Sequence, residues 1–214
     1  MSVRAKLILI IVGALAVYLA GNSRVSLSDR DEPRYAQTSR QMMQSGDWIV
    51  PKLLDEPREK KPVFVYWCQA AAMTVLGGNE FAARLPSSIC VTLTFAVLAI
   101  SIWRAIGARR ALWTVFVFGT SALTIAAAKM SITDGVLILF ITTAQLSLYW
   151  LLCVRSSWPA VILCGISTGF ALLTKGPVVL AVMGMTWLAF WAIGWLDRKR
   201  MLTIQVSYQS KELG

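Results

Sequence analysis

Seven stretches of this chain contain no Asp, Glu, Lys or Arg: Leu7–Ser23, Pro62–Asn79, Leu85–Trp103, Ala111–Ala128, Gly135–Val154, Ser156–Thr174 and Gly176–Leu196. Crossing the hydrocarbon of a bilayer as a helix takes about 20 apolar residues, with a range of roughly 17 to 25. Inside lipid the backbone must satisfy its own N–H and C=O groups, so runs of this length are expected to be helical. The 214 residues are 57% hydrophobic, more than a soluble domain of this size carries. The expected fold class is therefore an all-α polytopic membrane protein with little chain left over for a soluble domain.

A formal net charge of +10 could suit nucleic acid, but the basic residues flank apolar runs, as they do in cytoplasmic loops of membrane proteins. Nucleic acid is discounted as a partner and membrane lipid is expected instead. Cys68, Cys90, Cys153 and Cys164 all lie inside apolar runs and form no C-x-x-C pair, so they read as small hydrophobes. Histidine is absent, which removes the commonest general base and leaves carboxylates, Lys, Arg and Tyr for any catalysis. Arg4 and Lys6 precede the first run, whose end "AVYLAGNS" lacks a good small-x-small cleavage site, so the N-terminus reads as an uncleaved anchor.

Basic turns alternate with poorer ones. Placing Arg4, Lys6, Arg104, Arg109, Arg110, Arg155 and the Arg198–Arg200 cluster on the cytoplasmic side satisfies the positive-inside rule at every short loop. That solution leaves the loop Arg24–Arg84, "KMSITD" and Lys175 outside. Counting Pro62–Asn79 as a span would flip the later loops, so this run is expected to be an interfacial or re-entrant helix with Tyr66 and Trp67 at headgroup level. A true span is the alternative. The expectation is about six transmembrane helices plus amphipathic interfacial helices in the first outer loop, with a domain over residues 1–200 and a polar tail over 201–214.

The outer loop opens with "SDRDEPRYAQTSRQMMQSGDWIVPKL". Asp31 before Glu32 and Pro33 fits a helix start, since a carboxylate can cap it and proline in the first turn has no N–H to waste. The helix should end at Gly46, a good left-handed terminator. Tyr35, Met42 and Met43 form one apolar stripe, with Arg34, Gln37, Arg40 and Gln41 facing water, which would lay the helix in the interface and hold Asp31 and Glu32 at the membrane surface.

The same topology brings Asp134 to this face, as a functional acid or as the cap of its helix. Lys60 and Lys61, with Arg58 close by, suit an anionic phosphate or a rim touching lipid headgroups; Arg84 in "NEFAARLPSS" invites the same two readings. Lys175 in "LLTKGPVV" is either a snorkelling loop lysine or a further phosphate contact, and Lys129 reads as a solvated helix end. Carboxylates and cations gathered on one face suit an amphipathic phosphate-containing substrate whose tail stays in the bilayer.

The elements "DE-x-RYA", "SGDWIVP", "KP-x-x-x-YW" and "RLPS", in that order between Asp31 and Ser88, resemble the first outer loop of bacterial GT-C glycosyltransferases that use polyprenyl-phosphate sugars, namely the aminoarabinose lipid A transferases and relatives of protein mannosyltransferases. "SITDG" and "LLTKGP" are similar to later elements of that family. The resemblance implies a GT-C-like fold in the bacterial inner membrane. It also implies an inverting transfer of sugar from a polyprenyl-phosphate donor to a lipid or protein acceptor at the outer, periplasmic face, as in lipid A modification. Asp31 matches the first-loop acid, a general base or an orienting group, with Glu32 beside it, and Asp134 matches the second-loop acid. Lys61 matches the lysine before the "KP" proline, a partner for the donor phosphate whose negative charge grows as the bond breaks. Lys60, Arg84 and Lys175 are carried over as further phosphate-binding positions.

Two departures bear on this reading. The family commonly has an acid just before that lysine and two prolines after it, where this chain has Lys60 and Val63. Family members are also far longer, and the tail here is unlike a seventh helix, so the expectation is an N-terminal portion of such an enzyme, inactive if truncated. The sequence requires no cofactor, and the carboxylates alone do not argue for a divalent metal, which stays open. The competing readings are a non-catalytic polyprenyl-phosphate carrier and a remnant that assembles with a partner.

Overall fold

The computed structural model describes residues 2–27, 31–54, 56–58 and 61–196, with side chains as far as Ile193. Lys60 and the expected tail over 201–214 lie outside the described residues. The elements are α1 (Val3–Leu19), α2 (Glu32–Ser45), a short antiparallel hairpin of β1 (Lys52–Leu53) and β2 (Glu56–Pro57), α3 (Phe64–Leu76), α4 (Glu80–Ile106), α5 (Ala108–Thr120), α6 (Ala122–Lys129), α7 (Thr133–Tyr149), α8 (Trp158–Lys175) and α9 (Val178–Leu196). A π-helical turn, Trp150–Val154, prolongs α7.

Helices occupy all six expected crossing segments, but they are not equivalent. Glu80–Ile106, Thr133–Val154 and Trp158–Lys175 are each long and apolar enough to cross a membrane, and α5 with α6 makes a fourth crossing only as a pair bent by 64°. Among the described residues, length and composition alone thus show three or four of the expected six. The bend falls at Ser121, whose extended backbone interrupts the ladder. Interrupting a helix orphans carbonyls in its last turn. Here the Tyr18 hydroxyl donates to the Gly119 carbonyl at 3.0 Å, and Thr120 Oγ1 donates to the Phe116 carbonyl at 2.9 Å.

The central helix is α4, which packs against α1, α3, α5, α6 and α7, while α8 lies along α7 and α9 along α8. Asn79 caps α4, its side chain accepting the Ala82 N–H at 2.9 Å, and Glu80 in the first turn suits the positive end of the helix. One apolar cluster joins α1, α4, α5 and α6 around Tyr18, Val91, Phe95 and Val115; another joins α7, α8 and α9 around Ala144, Ala171 and Val179. Large apolar side chains such as Leu9, Val117, Leu188 and Trp191 point outward, as lipid contact requires.

The first loop is folded against the helix ends. In α2 the chain turns helical at Glu32 with Pro33 in the first turn and stops at Gly46, which takes φ 72°. Asp31 occupies the cap position but makes no capping hydrogen bond there. The buried face of α2 is wider and more polar than the expected stripe: Glu32, Tyr35, Ala36, Thr38, Ser39 and Met42 all turn inward. In α3, Tyr66 is fully buried, so it lies within the protein rather than at headgroup level. Its ring stacks on Tyr35 with centroids 5.4 Å apart, while Trp67 Nε1 donates to the Trp48 carbonyl at 2.6 Å.

Candidate active site

The expected acids divide into a buried one and two accessible ones. Glu32 begins α2 with 2% exposure and meets Arg84 of α4 in a fork: Nε donates to Oε1 at 3.1 Å and Nη2 to Oε2 at 2.9 Å. The same Oε1 accepts the Ser131 N–H at 2.6 Å. A buried carboxylate is tolerable only with such partners. Arg84 is equally committed, since its other donors reach the carbonyls of Asn22 (3.1 Å), Val25 (2.7 Å) and Ser26 (3.1 Å). All of its N–H groups are used on protein, so none is left to meet a phosphate.

From this pair a polar network runs under α2. Gln69 of α3 donates to Ser131 Oγ at 2.8 Å and accepts from Ser39 Oγ at 2.8 Å; Ser39 Oγ also lies 3.0 Å from the Tyr35 carbonyl. Asn22 Nδ2 reaches Ser88 Oγ at 3.2 Å, and Ser88 Oγ donates to the Ala128 carbonyl at 2.8 Å. Together these bonds fix α2, α3, α4 and the Met130–Asp134 segment relative to one another. Sequence reasoning missed this network. Its signal was the polar Gln69 within an otherwise apolar run.

Asp31 remains at the surface, with a side chain 61% exposed and Arg34 at 3.9 Å. Asp134, in the first turn of α7, is 44% exposed and accepts from Lys175 Nζ, at the end of α8, at 2.5 Å. The charges of both acids act on the same tyrosine. Burial pushes the Tyr35 phenol above its ordinary pKa, a Thr133 hydrogen bond and the Arg58 charge oppose that rise, and the charges of Asp31 and Asp134 add to it. Tyr66 is raised for the same leading reason, burial, with Arg58 again opposing and Tyr35 and Asp31 adding.

Arg58 follows the hairpin and sits over this ring pair, with Cζ 4.9 Å from the Tyr35 centroid and 5.7 Å from that of Tyr66. Its Nη1 donates to Thr38 Oγ1 at 3.3 Å. Of the expected phosphate-binding residues, Lys61 is half-buried at the entry to α3 and Lys175 is engaged by Asp134. Lys129, expected as a solvated helix end, donates instead to the Ala20 carbonyl at 2.6 Å. Among the described residues no three His, Cys, Asp or Glu side chains gather into a metal-ligand set.

Fold and site together define a class: a polytopic helical membrane protein whose first polar loop is pinned by a buried ion pair and presents carboxylates and cations beside the ends of its helices. Over residues 5–211 the sequence matches the model of the dolichyl-phosphate-mannose-protein mannosyltransferase family, and the chain belongs to that family. Among its relatives is the undecaprenyl phosphate-alpha-4-amino-4-deoxy-L-arabinose arabinosyl transferase of Photorhabdus laumondii, 35% identical over 158 residues that make up 71% of this chain and 28% of the relative. The protein of the same name from Serratia proteamaculans is 34% identical over 183 residues, 82% of this chain and 32% of the relative. The chain thus spans about a third of these curated relatives or less. The crystal structure of ArnT from Cupriavidus metallidurans bound to undecaprenyl phosphate has the same fold, with a TM-score of 0.82 at 24% identity over 98% of this chain and 41% of that one. The apo state of that protein gives a TM-score of 0.82 at 25% identity.

Proposed function

We propose that this chain carries active-site residues of a membrane glycosyltransferase, one that moves a sugar from a polyprenyl phosphate to a lipid or protein acceptor at the outer face of the bacterial inner membrane. The observation that carries the reading is the division of the acids: Glu32 is buried in a fork with Arg84, whereas Asp31, one residue earlier, stays exposed and shares the Tyr35 neighbourhood with Asp134 and Arg58. The names of the relatives, arabinosyl transferases of undecaprenyl phosphate-alpha-4-amino-4-deoxy-L-arabinose, support the donor class.

In this reading the acceptor hydroxyl attacks the anomeric carbon from the face opposite the phosphate. Its proton passes to the Asp31 carboxylate as the carbon–oxygen bond to the phosphate breaks, with inversion at that carbon. The departing polyprenyl phosphate gains a negative charge, which Lys61 meets from the start of α3. Asp134, held by Lys175, orients the acceptor or the sugar, while Glu32 and Arg84 hold the loop and touch neither substrate. Residues 1–200 form the membrane domain that carries this site, with the N-terminus cytoplasmic.

The test is sugar release from undecaprenyl-phosphate sugars by the full chain in lipid, measured beside Asp31→Asn and Lys61→Ala. Losing a general base costs about 10²- to 10⁴-fold in rate, so Asp31→Asn should bind donor and release almost no sugar. Lys61→Ala should bind donor more weakly. Release unchanged in Asp31→Asn overturns the assignment, and donor binding by the wild type without any release favours a truncated or carrier-like protein.

A further inference from the structure

The structure withdraws one of the expected phosphate-binding cations and offers another. Arg84 has its whole guanidinium committed to Glu32 and three backbone carbonyls. Arg58 is the opposite case. Among the described residues its guanidinium makes one hydrogen bond, from Nη1 to Thr38 Oγ1, and the rest of its hydrogen-bonding edge has no protein acceptor. Its position is nonetheless fixed by the two rings beneath it, at 4.9 and 5.7 Å, which are themselves stacked on each other in the interior.

A cation over an aromatic face is held electrostatically, and a guanidinium so held with unused N–H groups can offer two hydrogen bonds to a phosphate. A second observation concerns the ring pair itself. The Tyr66 hydroxyl, from the fully buried ring under Arg58, has no hydrogen-bond partner among the described residues. A buried hydroxyl left unpaired costs free energy that a bound acceptor would recover.

We propose that Arg58, supported by the Tyr35–Tyr66 pair, binds the phosphate of a lipid-borne phosphate ligand, a role that the family resemblance implied for Arg84. The inference rests on the proposed glycosyl transfer for the identity of that lipid, but its geometry does not. The rings are positioning residues: they hold the guanidinium in place, its Cζ 4.9 and 5.7 Å from their centroids. Lysine would keep the charge and lose the two-pronged geometry.

The experiment measures binding of undecaprenyl phosphate and of the uncharged alcohol undecaprenol to the full chain in nanodiscs, with a diacylglycerol phosphate as a third ligand. Wild type should prefer the phosphate to the alcohol. Arg58→Gln should reduce that preference about tenfold or more, as expected for a lost charge-assisted pair, and Arg58→Lys should restore only part of it. Tyr35→Leu should weaken phosphate binding while leaving the affinity for undecaprenol in place, which a collapse of the fold would not do. Loss confined to undecaprenyl phosphate assigns the site to the donor, and equal loss for the diacyl phosphate assigns it to lipid phosphates generally. If Arg58→Gln and Arg58→Lys both keep the wild-type preference, Arg58 is not the phosphate ligand. A wild type that does not distinguish phosphate from alcohol overturns the proposed function as well.

Discussion

The Lys175 ammonium donates to Asp134 Oδ1 at 2.5 Å, tying the last residue of α8 to the first turn of α7. Each partner suits its helix terminus, a cation at a C-terminal end and a carboxylate at an N-terminal end. The pair therefore fixes where the second acid of the site stands relative to Tyr35 and Asp31.

Because the two side chains are 34% and 44% exposed, solvent screens the pair and its worth to stability is small, about 0–1 kcal/mol. Lys175→Met should accordingly lower the thermal midpoint in detergent by no more than about 4 °C. Sugar release should fall by about tenfold or more, because Asp134 loses its anchor. A large drop in midpoint with release per folded molecule intact would show the pair to be structural.

The Glu32–Arg84 fork should behave in the reverse way. Both side chains are nearly inaccessible, at 3% and 4% exposure, so removing one partner strands a buried charge. Breaking such a pair costs about 3–5 kcal/mol. Arg84→Met alone should unfold at clearly lower temperature or lower denaturant, and Glu32→Gln combined with Arg84→Met should recover part of the loss. If Arg84→Met were as stable as the wild type but bound donor poorly, the sequence-based role of Arg84 in phosphate binding would return.

These two pairs show what was legible in the sequence and what was not. Local signals were reliable: Pro33 and Gly46 bracket α2, and the charge-free runs mark where helices form. Asp31, Asp134 and Lys175 were expected on one face; the structure pairs Lys175 with Asp134, and the charges of Asp31 and Asp134 both act on Tyr35. Partners that are distant along the chain were not legible. Glu32 and Arg84 are 52 residues apart, and nothing in their spacing says that one carboxylate of the adjacent Asp31–Glu32 pair turns inward while the other stays out. The bend at Ser121 was hidden for a related reason. Its run carries no charge to mark a break, and the hydroxyl that satisfies the freed Gly119 carbonyl comes from Tyr18, in another helix. The aromatic Tyr66 suggested an interfacial anchor, but it is buried by Tyr35, which arrives from a different element.

Gly135 separates two kinds of glycine intolerance. A Cβ there would stand 2.6 Å from the Ala127 carbonyl oxygen and 2.8 Å from Ser87 Cβ, where α7 crosses α4 and α6. A Cβ at Gly119 would meet the Phe95 ring edge at 2.5 Å, but that ring can swing. Overpacking of this kind costs about 1–3 kcal/mol, and backbone yields less than a side chain. Gly135→Ala should therefore be the more destabilising of the two in thermal unfolding, and it should also impair sugar release because Asp134 is its neighbour. An equal or reversed order would place the give in the backbone.

Acid should loosen the turn after α2 before it disturbs the helices. Asp47 Oδ1 accepts the backbone N–H groups of Ile49 and Val50, both at 3.1 Å, and Lys52 lies 3.7 Å from its other oxygen. The Val50 bond first, then Ile49 and Lys52, hold this carboxyl below its ordinary value. A folded-state value depressed in this way contributes stability that is present above the unfolded value of 3.8 and is lost as pH falls through the folded value. The turn is fixed at neutral pH and should release its amides only in stronger acid. Amide exchange at Ile49 and Val50, compared between the wild type and Asp47→Asn, reads this directly. The wild type should show protection that fades below about pH 4, whereas Asp47→Asn should show weaker protection with no acid step. An acid step of the same size in Asp47→Asn would assign the loosening to another carboxylate.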